Sequence, residues 1–338
     1  MRRWSVCLFA AALLGLAAPA RAGTSLDAIK KAGVIKCGVN ATAAGLSVPD
    51  SQGRFQGFDA DLCRAMAVAL FNDASKAQFV PVTAQARFTG LQGGEFDLLY
   101  RTTALTLARD TTLGLTIAVP VVYTGQGFLV KKSLGAKTAK DLNGATICAI
   151  QGSEIERNVN DYIAREGIKM TTLAFDTTDT VSGAFYAGRC DAVSNDMISL
   201  QTVRLRAPSP GDYVTLPDII AKEPQGFLVR NGDPEFEKLA RWLVFALIQA
   251  EEFGLTKANV EAARRDSKDP KVRRFLGLEG NVGKGFDLPD TWAYEVIRAF
   301  GNYGELYDRH LGKDGLGMDR GPNRLWTDGG LMISWLWQ

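Results

Sequence analysis

The sequence has a single histidine, His310, and no two cysteines separated by two residues. Structural zinc sites use closely spaced cysteines and histidines, so we expect no metal, and we predict His310 to be a surface residue near a helix end. A Gly-x-Ser-x-Gly nucleophile turn and a phosphate-binding glycine loop are also missing. We therefore predict no catalytic residues and no cofactor.

An excess of one charge is missing too. The chain has 39 lysines and arginines against 37 aspartates and glutamates, a net charge of +2. Nucleic-acid-binding domains carry a strong basic patch, so a nucleic-acid partner is not expected. At about 150 residues per domain, 338 residues predict two domains.

Residues 1–22 are typical of a secretory signal peptide. Arg2 and Arg3 precede an apolar run over 6–18, and Ala20–Ala22 is a small-x-small cleavage site. The alternative is a retained anchor helix, but the run is shorter than the about 20 residues that a bilayer requires. We place the cleavage before Gly23. No later segment predicts a membrane span, so the mature chain, with a net charge of −1, is not expected to be membrane-embedded.

Four cysteines remain after cleavage, and an even count in an exported protein favours disulfide bonds. Three pairings of Cys37, Cys63, Cys148 and Cys190 exist. The spacing favours Cys37–Cys63 and Cys148–Cys190, one bond in each half. Pairing across the halves would tie them together and oppose a hinge motion.

Predicted helices and strands alternate, which indicates an α/β fold with a mostly parallel sheet. The pattern restarts after residue 140 and ends with helices, one of them predicted over Thr291–Leu311. We find no physical assignment for the tryptophan-rich end over 320–338.

A short repeat brackets the second unit: Gln126–Lys131 recurs as Gln225–Arg230. Chance similarity between apolar strands is one interpretation. The other is that the chain passes twice between two lobes. The first lobe is then 23–125 plus 226–338, with a C-terminal helical extension, and the second lobe is 126–225. Two crossings imply a cleft that closes by a hinge.

Polar residues follow the predicted strands, where open α/β sheets bind ligands. Arg109 offers a guanidinium that grips a carboxylate through two hydrogen bonds, and the helix after Gly152 offers free N–H groups to the same anion. Asp196 offers a carboxylate to an ammonium. Together these residues predict a trap for a zwitterion. Taken singly, Arg109 also fits a surface ion pair with Asp110, and Asp196 also fits a helix N-cap.

Several segments resemble the bacterial extracellular solute-binding proteins of family 3, which serve ABC transporters for polar amino acids, and among them the general L-amino acid binding proteins. The resemblance covers about Leu26–Leu331, and all four mature cysteines fall at subfamily positions. Its carriers are Gly57–Ala65, Arg87–Asp97, Thr106–Asp110, Gln126–Phe128, Ala187–Asp191, Lys222–Pro224, Gly321–Trp326 and Gly329–Leu331.

The resemblance implies a two-lobed periplasmic-binding-protein fold of type II, each lobe a mostly parallel sheet flanked by helices, with two hinge crossings. It implies a monomeric, non-enzymatic periplasmic protein that closes on an L-amino acid, broadly or with an acidic or polar preference, and delivers it to an inner-membrane ABC permease. Two alternatives stay open: a periplasmic enzyme similar to cyclohexadienyl dehydratase on the same scaffold, and a sensory binding protein without transport.

The resemblance also assigns roles to matched positions. Arg109 corresponds to the arginine that binds the α-carboxylate, and Asp196 to the acid that binds the α-ammonium. Gly152 and Ser153 correspond to the helix start that donates N–H groups to the carboxylate. Arg87 corresponds to an arginine that reaches the side chain of acidic ligands. Thr102, Thr103 and Thr106 are also expected beside the ligand, and Leu46 is the residue available to cover it.

Four positions depart from the family pattern. Ala104 replaces a threonine, Leu46 replaces an aromatic cover, and Tyr100 replaces a small residue. Glu154 stands where threonine or glycine is common, and its carboxylate would repel that of a ligand. One lost neutral hydrogen bond costs about 1 kcal/mol, so the departures bear on ligand identity rather than on the fold. The charges of Arg87 and Arg101 favour a polar or acidic ligand, with glutamate or aspartate as the first expectation.

Overall fold

The computed structural model describes residues 25–337. The predicted signal peptide, 1–22, lies outside them. Within residues 25–337, no helix combines the length and the apolar character that crossing a membrane requires.

Strands and helices alternate through most of the chain, as predicted. The strands are β1 Ile35–Val39, β2 Val48–Pro49, β3 Phe55–Gln56, β4 Ala77–Pro81, β5 Leu98–Leu99, β6 Leu115–Lys131, β7 Thr146–Ile150, β8 Thr171–Phe175, β9 Ala192–Asp196, β10 Tyr213–Thr215 and β11 Ala221–Arg230. The helices are α1 Ser25–Ala32, α2 Phe58–Phe71, α3 Ala86–Gln92, α4 Leu107–Thr111, α5 Glu154–Glu166, α6 Thr178–Tyr186, α7 Met197–Arg206, α8 Pro234–Glu252, α9 Val260–Asp266, α10 Pro270–Phe275, α11 Trp292–Phe300 and α12 Tyr303–His310.

The prediction of one helix over 291–311 is wrong, because the chain breaks between α11 and α12. Gly301 has a φ of 83°, which ends α11. Asn302 then caps α12 and forms a reciprocal capping box with Glu305. The Asn-x-x-Glu pattern that starts a helix is present in the sequence, so this break was readable.

One sheet runs through the molecule in the order β4-β1-β5-β11-β6-β9-β7-β8, with β10 paired to β6. The three strands at one end, β4, β1 and β5, are parallel, and so are β9, β7 and β8 at the other. The α/β expectation is therefore confirmed. The long β6 and β11 pair antiparallel from Leu115↔Arg230 to Gln126↔Ala221 and join the two ends.

The two copies of the short repeat lie on these joining strands. Gln126–Lys131 ends β6 and pairs largely with β9, whereas Gln225–Arg230 ends β11 and reaches β5 through Leu228↔Leu99. The copies therefore continue into opposite ends of the sheet. The lobe limits at 126 and 225 stay a prediction, consistent with this pairing.

The hydrophobic core is divided in the same way. One large cluster joins β1 and α2 to the C-terminal helices, with Phe58, Leu243 and Tyr303 fully buried. Two smaller clusters lie around β7 and β9, with Phe185 and Phe128 at their centres. Each end of the sheet thus buries its own apolar side chains.

Both favoured disulfide bonds are confirmed. Cys37–Cys63 joins β1 to α2 with 6.2 Å between the Cα atoms. Cys148–Cys190 joins β7 to the segment before β9 with 5.7 Å between the Cα atoms. Each bond therefore stays within one end of the sheet.

The tryptophan-rich end packs on the first lobe and on the crossing. Trp337 is buried against Trp292 and Phe275. The Asn323 side chain accepts a hydrogen bond from the Tyr123 N–H at 2.7 Å and donates one to the Tyr123 carbonyl at 2.8 Å. This amide therefore acts like a short neighbouring strand for the middle of β6.

The surface position predicted for His310 is wrong. His310 does end α12, but its side chain is only 14% exposed and lies 2.7 Å from a carboxylate oxygen of Asp61 on α2. The histidine thus joins the C-terminal extension to α2.

Candidate functional site

Arg109 points from the short helix α4 toward the second lobe. Thr106 caps α4 by accepting a hydrogen bond from the Arg109 N–H, which fixes the start of the helix. The buried guanidinium donates to the Ala104 carbonyl at 2.6 Å and contacts Glu154 through its other nitrogen. The alternative ion pair with Asp110 does not form; an Asp110 oxygen instead accepts a backbone N–H.

Arg87, on α3, approaches the same glutamate. Its side chain is 2% exposed, and a guanidinium nitrogen lies 3.8 Å from a Glu154 oxygen. The Phe88 ring contacts both guanidiniums, with its centre 4.5 Å from that of Arg87 and 5.0 Å from that of Arg109. The ring therefore holds two like charges side by side through cation–π contacts.

Arg101 adds a third buried guanidinium and donates to the Val82 carbonyl at 2.7 Å. Burial, with the charges of Arg109 and Arg101, lowers the pKa of Arg87 to about 9. Burial lowers the pKa of Arg101 to about 10, against the opposing effect of Asp59. Both side chains are still cationic at neutral pH.

The second lobe contributes carboxylates. Asp196 ends β9 and caps α7, since one of its oxygens accepts the N–H groups of Ile198 and Ser199 at 3.0 and 3.1 Å. The side chain is 2% exposed, and burial raises its pKa against the effect of these hydrogen bonds. Asp196 is therefore the predicted N-cap and also faces the space between the lobes.

Glu154 is the first residue of α5 and crosses from the second lobe to the arginines of the first. A carboxylate in the first turn is stabilised by the helix dipole. Ser153 occupies the N-cap position and its hydroxyl donates to the Ile150 carbonyl at 2.6 Å, while Gly152 adopts a φ of 67°. The glutamate carboxylate thus pairs with the guanidinium that the sequence analysis assigned to a ligand.

Sequence reasoning missed Glu223, on β11. The side chain is 1% exposed, and one oxygen has no hydrogen-bond partner among residues 25–337. Burial, together with the charges of Glu154 and Asp196, raises the pKa of Glu223 to about 9, so it is protonated at neutral pH. Its signal was the motif Lys222–Pro224, which had served only to mark the resemblance.

Most of these side chains line a small cavity of about 20 Å³, room for about one water molecule. A wider groove of about 540 Å³ opens beside it between α4 and α5. The cavity is lined by polar and charged residues from both lobes, among them Asn40, Arg87, Arg101, Thr102, Ser153, Glu154, Thr178, Asn195, Asp196, Ser199 and Glu223. The groove lining includes Phe88, Thr106, Arg109, Gly152, Ser153, Glu154 and Arg157.

Two predicted residues are not brought to either space. The Thr103 hydroxyl donates to the Arg101 carbonyl at 2.9 Å and is fully buried. Leu46 lies in the large core, and its backbone passes Gly57 so closely that a side chain there would meet the Leu46 carbonyl at 2.3 Å. The other predicted residues all line the cavity or the groove.

Comparison with known proteins places this geometry in a family. Residues 35–258 match the bacterial extracellular solute-binding proteins, family 3. The chain belongs to this family. This solute-binding protein is 41% identical to the general L-amino acid-binding periplasmic protein AapJ of Rhizobium johnstonii, over 96% of both chains. It is 42% identical to the glutamate/glutamine/aspartate/asparagine-binding protein BztA of Rhodobacter capsulatus, again over 96% of both.

A solved structure confirms the fold. The ABC transporter periplasmic binding protein from Brucella ovis, with glutathione bound, matches this solute-binding protein with a TM-score of 0.91 at 40% identity. The match covers 93% of this chain and 99% of that chain. The predicted two-lobed, type II periplasmic-binding-protein fold is thereby confirmed.

Proposed function

We propose that this protein captures an L-amino acid between its lobes and delivers it to an ABC permease in the inner membrane. The observation that carries the proposal is the convergence of charges from the two lobes. The guanidinium of Arg109 contacts Glu154, and Glu154 lines the same cavity as Asp196. A zwitterion needs one cationic and one anionic partner, and closing the lobes removes both from water, which strengthens their pairing.

In this proposal Arg109 and the N-terminus of α5 at Ser153 bind the α-carboxylate, and Asp196 binds the α-ammonium. Arg87 and Arg101 are in excess of what one carboxylate requires. They favour a ligand with a second carboxylate, so aspartate and glutamate are the first candidates. The names of AapJ and BztA, one general and one acidic or amide in range, support this class.

Glutathione is a second candidate. The Brucella ovis protein with glutathione bound is 40% identical over nearly the whole chain. Glutathione carries an α-amino acid end and a second carboxylate, and the groove beside Arg109 offers about 540 Å³ for the part of a ligand that extends beyond the clamp. Arg157, exposed on the groove wall, is the residue that a distant carboxylate would meet.

Calorimetric titration of the mature protein, unfolded and refolded to remove carried-over ligand, tests the proposal. We expect saturable binding of aspartate, glutamate or glutathione at micromolar or tighter affinity, and loss of binding for analogues without the α-amino group. The absence of measurable binding for all L-amino acids and for glutathione would contradict the proposal.

The proposal includes a location and a partner. Mass spectrometry of the exported protein is expected to show Gly23 as the first residue, as the predicted signal peptide 1–22 requires. Light scattering is expected to show a monomer. Uptake of labelled ligand by a strain lacking only this protein separates transport from a purely sensory role. Uptake is expected to be lost in that strain if the protein serves transport, and to be unchanged if its role is only sensory.

Binding without catalysis is also part of the proposal. The relatives AapJ and BztA are named as binding proteins. The acid best placed for proton transfer, Glu154, is paired with Arg109. Incubation with a cyclohexadienyl acid is expected to leave it unchanged; turnover would instead support the dehydratase alternative.

A further inference from the structure

We propose that Glu154 is an internal competitor of the ligand: its carboxylate occupies the carboxylate position on Arg109, closes the cleft without ligand, and sets the affinity threshold that a ligand carboxylate must exceed. The half of this inference that concerns the ligand rests on the proposed function. The half that concerns closure does not.

The first support is where Glu154 lies. Its carboxylate is in direct contact with the Arg109 guanidinium, and a nitrogen of Arg87 is 3.8 Å away. The three side chains are 12%, 8% and 2% exposed, so the contact is largely shielded from water. An ion pair of this kind is far less screened by salt than one on the surface.

The second support is that the two partners come from different lobes. Arg87 is carried by α3, which packs on β5 and β11, and Arg109 by α4, which packs on β6 and is hydrogen-bonded to its start at Ile117. Glu154 starts α5, which packs on β7 and β9. The pair therefore forms only when the lobes approach. It connects the same two surfaces that a bound zwitterion would connect, and with the same chemistry.

The third support is that both terminal nitrogens of the Arg109 guanidinium already have hydrogen-bond acceptors. One nitrogen donates to the Ala104 carbonyl, and another is taken by Glu154. The Phe88 ring also contacts the guanidinium, with 5.0 Å between their centres. A ligand carboxylate must therefore displace that of Glu154, exchanging one charge-assisted pair for another.

The consequence for affinity follows from population-shift arithmetic. When only a fraction of the ligand-free protein is open, the observed dissociation constant is the intrinsic one divided by that fraction. A closed, Glu154-paired form that holds nine-tenths of the molecules weakens binding about tenfold. Removing the glutamate charge is therefore expected to strengthen ligand binding about tenfold.

The test compares wild type with two variants, E154Q and E154T. E154Q keeps the size and removes the charge; E154T introduces a residue common at this position in the family. The control is D161N, which removes one negative charge from an exposed position on the same helix. Small-angle X-ray scattering of the ligand-free proteins measures lobe separation, and calorimetry with L-glutamate and glutathione measures affinity.

We expect E154Q and E154T to scatter as more open molecules than wild type and D161N, and to bind their ligand about tenfold more tightly. Unchanged scattering and affinity would overturn the inference. Weaker binding by E154Q and E154T, with D161N unaffected, would overturn it as well, because Glu154 would then contact the ligand directly. More open variants that bind no tested ligand would support the closure and contradict the proposed function.

Discussion

The two lobes hold their charged residues by different means. In the first lobe the guanidiniums of Arg101 and Arg109 donate to backbone carbonyls, and the helices beside them, α3 and α4, have only seven and five residues. In the second lobe Glu154 and Asp196 stand at the starts of longer helices, α5 and α7, of 13 and ten residues.

The difference shows why the acids and not the arginines lie on the side with long helices. The N-terminus of a helix stabilises a carboxylate through its dipole and its free N–H groups, so the helix starts of the second lobe offset part of the cost of burying its acids. A buried guanidinium has no such partner in a short helix and depends on carbonyl oxygens and on the opposite lobe. Each lobe is thus incomplete electrostatically until the cleft closes.

The largest expected effect is that of removing the first-lobe charge. R109A deletes the proposed carboxylate ligand and leaves Glu154 buried with a more distant partner, Arg87. We expect ligand affinity to fall at least about 100-fold, since truncating one member of a buried charged pair costs several kcal/mol. Calorimetry measures the loss, and R54A, at an exposed arginine of the same lobe, is the matched control. Equal affinities for R109A and wild type would show that Arg109 of the first lobe does not supply the cationic partner of the ligand.

The next prediction compares the stability of the two lobes by removing the disulfide bond of each. Cys37–Cys63 and Cys148–Cys190 close loops with sequence separations of 26 and 42 residues, one in each lobe. In the chain-entropy model such loops stabilise the fold by about 3.5 and about 4 kcal/mol. C148S/C190S is expected to lower the free energy of unfolding of the second lobe by about 4 kcal/mol. C37S/C63S is expected to lower that of the first lobe by about 3.5 kcal/mol. Denaturant unfolding followed by hydrogen exchange locates each loss, and identical exchange patterns for the two variants would show that the lobes unfold as one unit.

A smaller effect concerns the boundary between the lobes. N323A removes both side-chain hydrogen bonds to the Tyr123 backbone and leaves that N–H and carbonyl without these partners. We expect a loss of about 2 kcal/mol in the free energy of unfolding. N281A, at an exposed asparagine of the same extension, is expected to have little effect. Denaturant midpoints measure both, and equal losses would mean that the tail does not support the crossing.

The smallest effect is the pH dependence of the free energy of unfolding that Glu223, on the joining strand β11, is expected to cause. The pKa of Glu223 is raised to about 9 in the folded state, so the folded protein binds this proton more tightly than the unfolded chain. The stabilisation is complete below the unfolded pKa and is lost as the pH rises toward 9. Between pH 7 and 8 we expect wild type to lose about 1 kcal/mol more than E223Q.

Denaturant midpoints at pH 6, 7 and 8 measure this slope, with E261Q as the exposed control. Burial is the main cause of the raised pKa of Glu223; the charges of Glu154 and Asp196 raise it further, and Arg109 and Gln225 lower it. Burial also raises the pKa of Asp59 and Asp196, so part of the slope is expected to remain in E223Q. The same slope in both proteins would show that Glu223 is not the group that titrates.

Local patterns predicted most of the fold and much of the site. The alternation of strands and helices and the cysteine spacing are short-range signals. The first was sufficient to predict the α/β fold, and the second to predict the two disulfide bonds. The positions of Arg109 and Asp196 followed from their places after strands. Glu154 was expected to repel a ligand; its pairing with Arg109, 45 residues away, depends on how the lobes meet, which no local pattern contains. Glu223 was missed because it precedes the apolar repeat Gln225–Arg230, and its motif Lys222–Pro224 had served only to mark the resemblance.

The joining strands have a mechanical consequence. β6 and β11 are hydrogen-bonded to each other along their shared length, so the lobes are connected by one ribbon and not by two separate tethers. The pairing is irregular at Gln225/Gly226, and a side chain at Gly226 would overlap the Val119 carbonyl at 2.0 Å. A ribbon bends easily across its face and resists shear in its plane. We therefore expect the cleft to open mainly by bending of this ribbon, with the two lobes moving as units on either side of it.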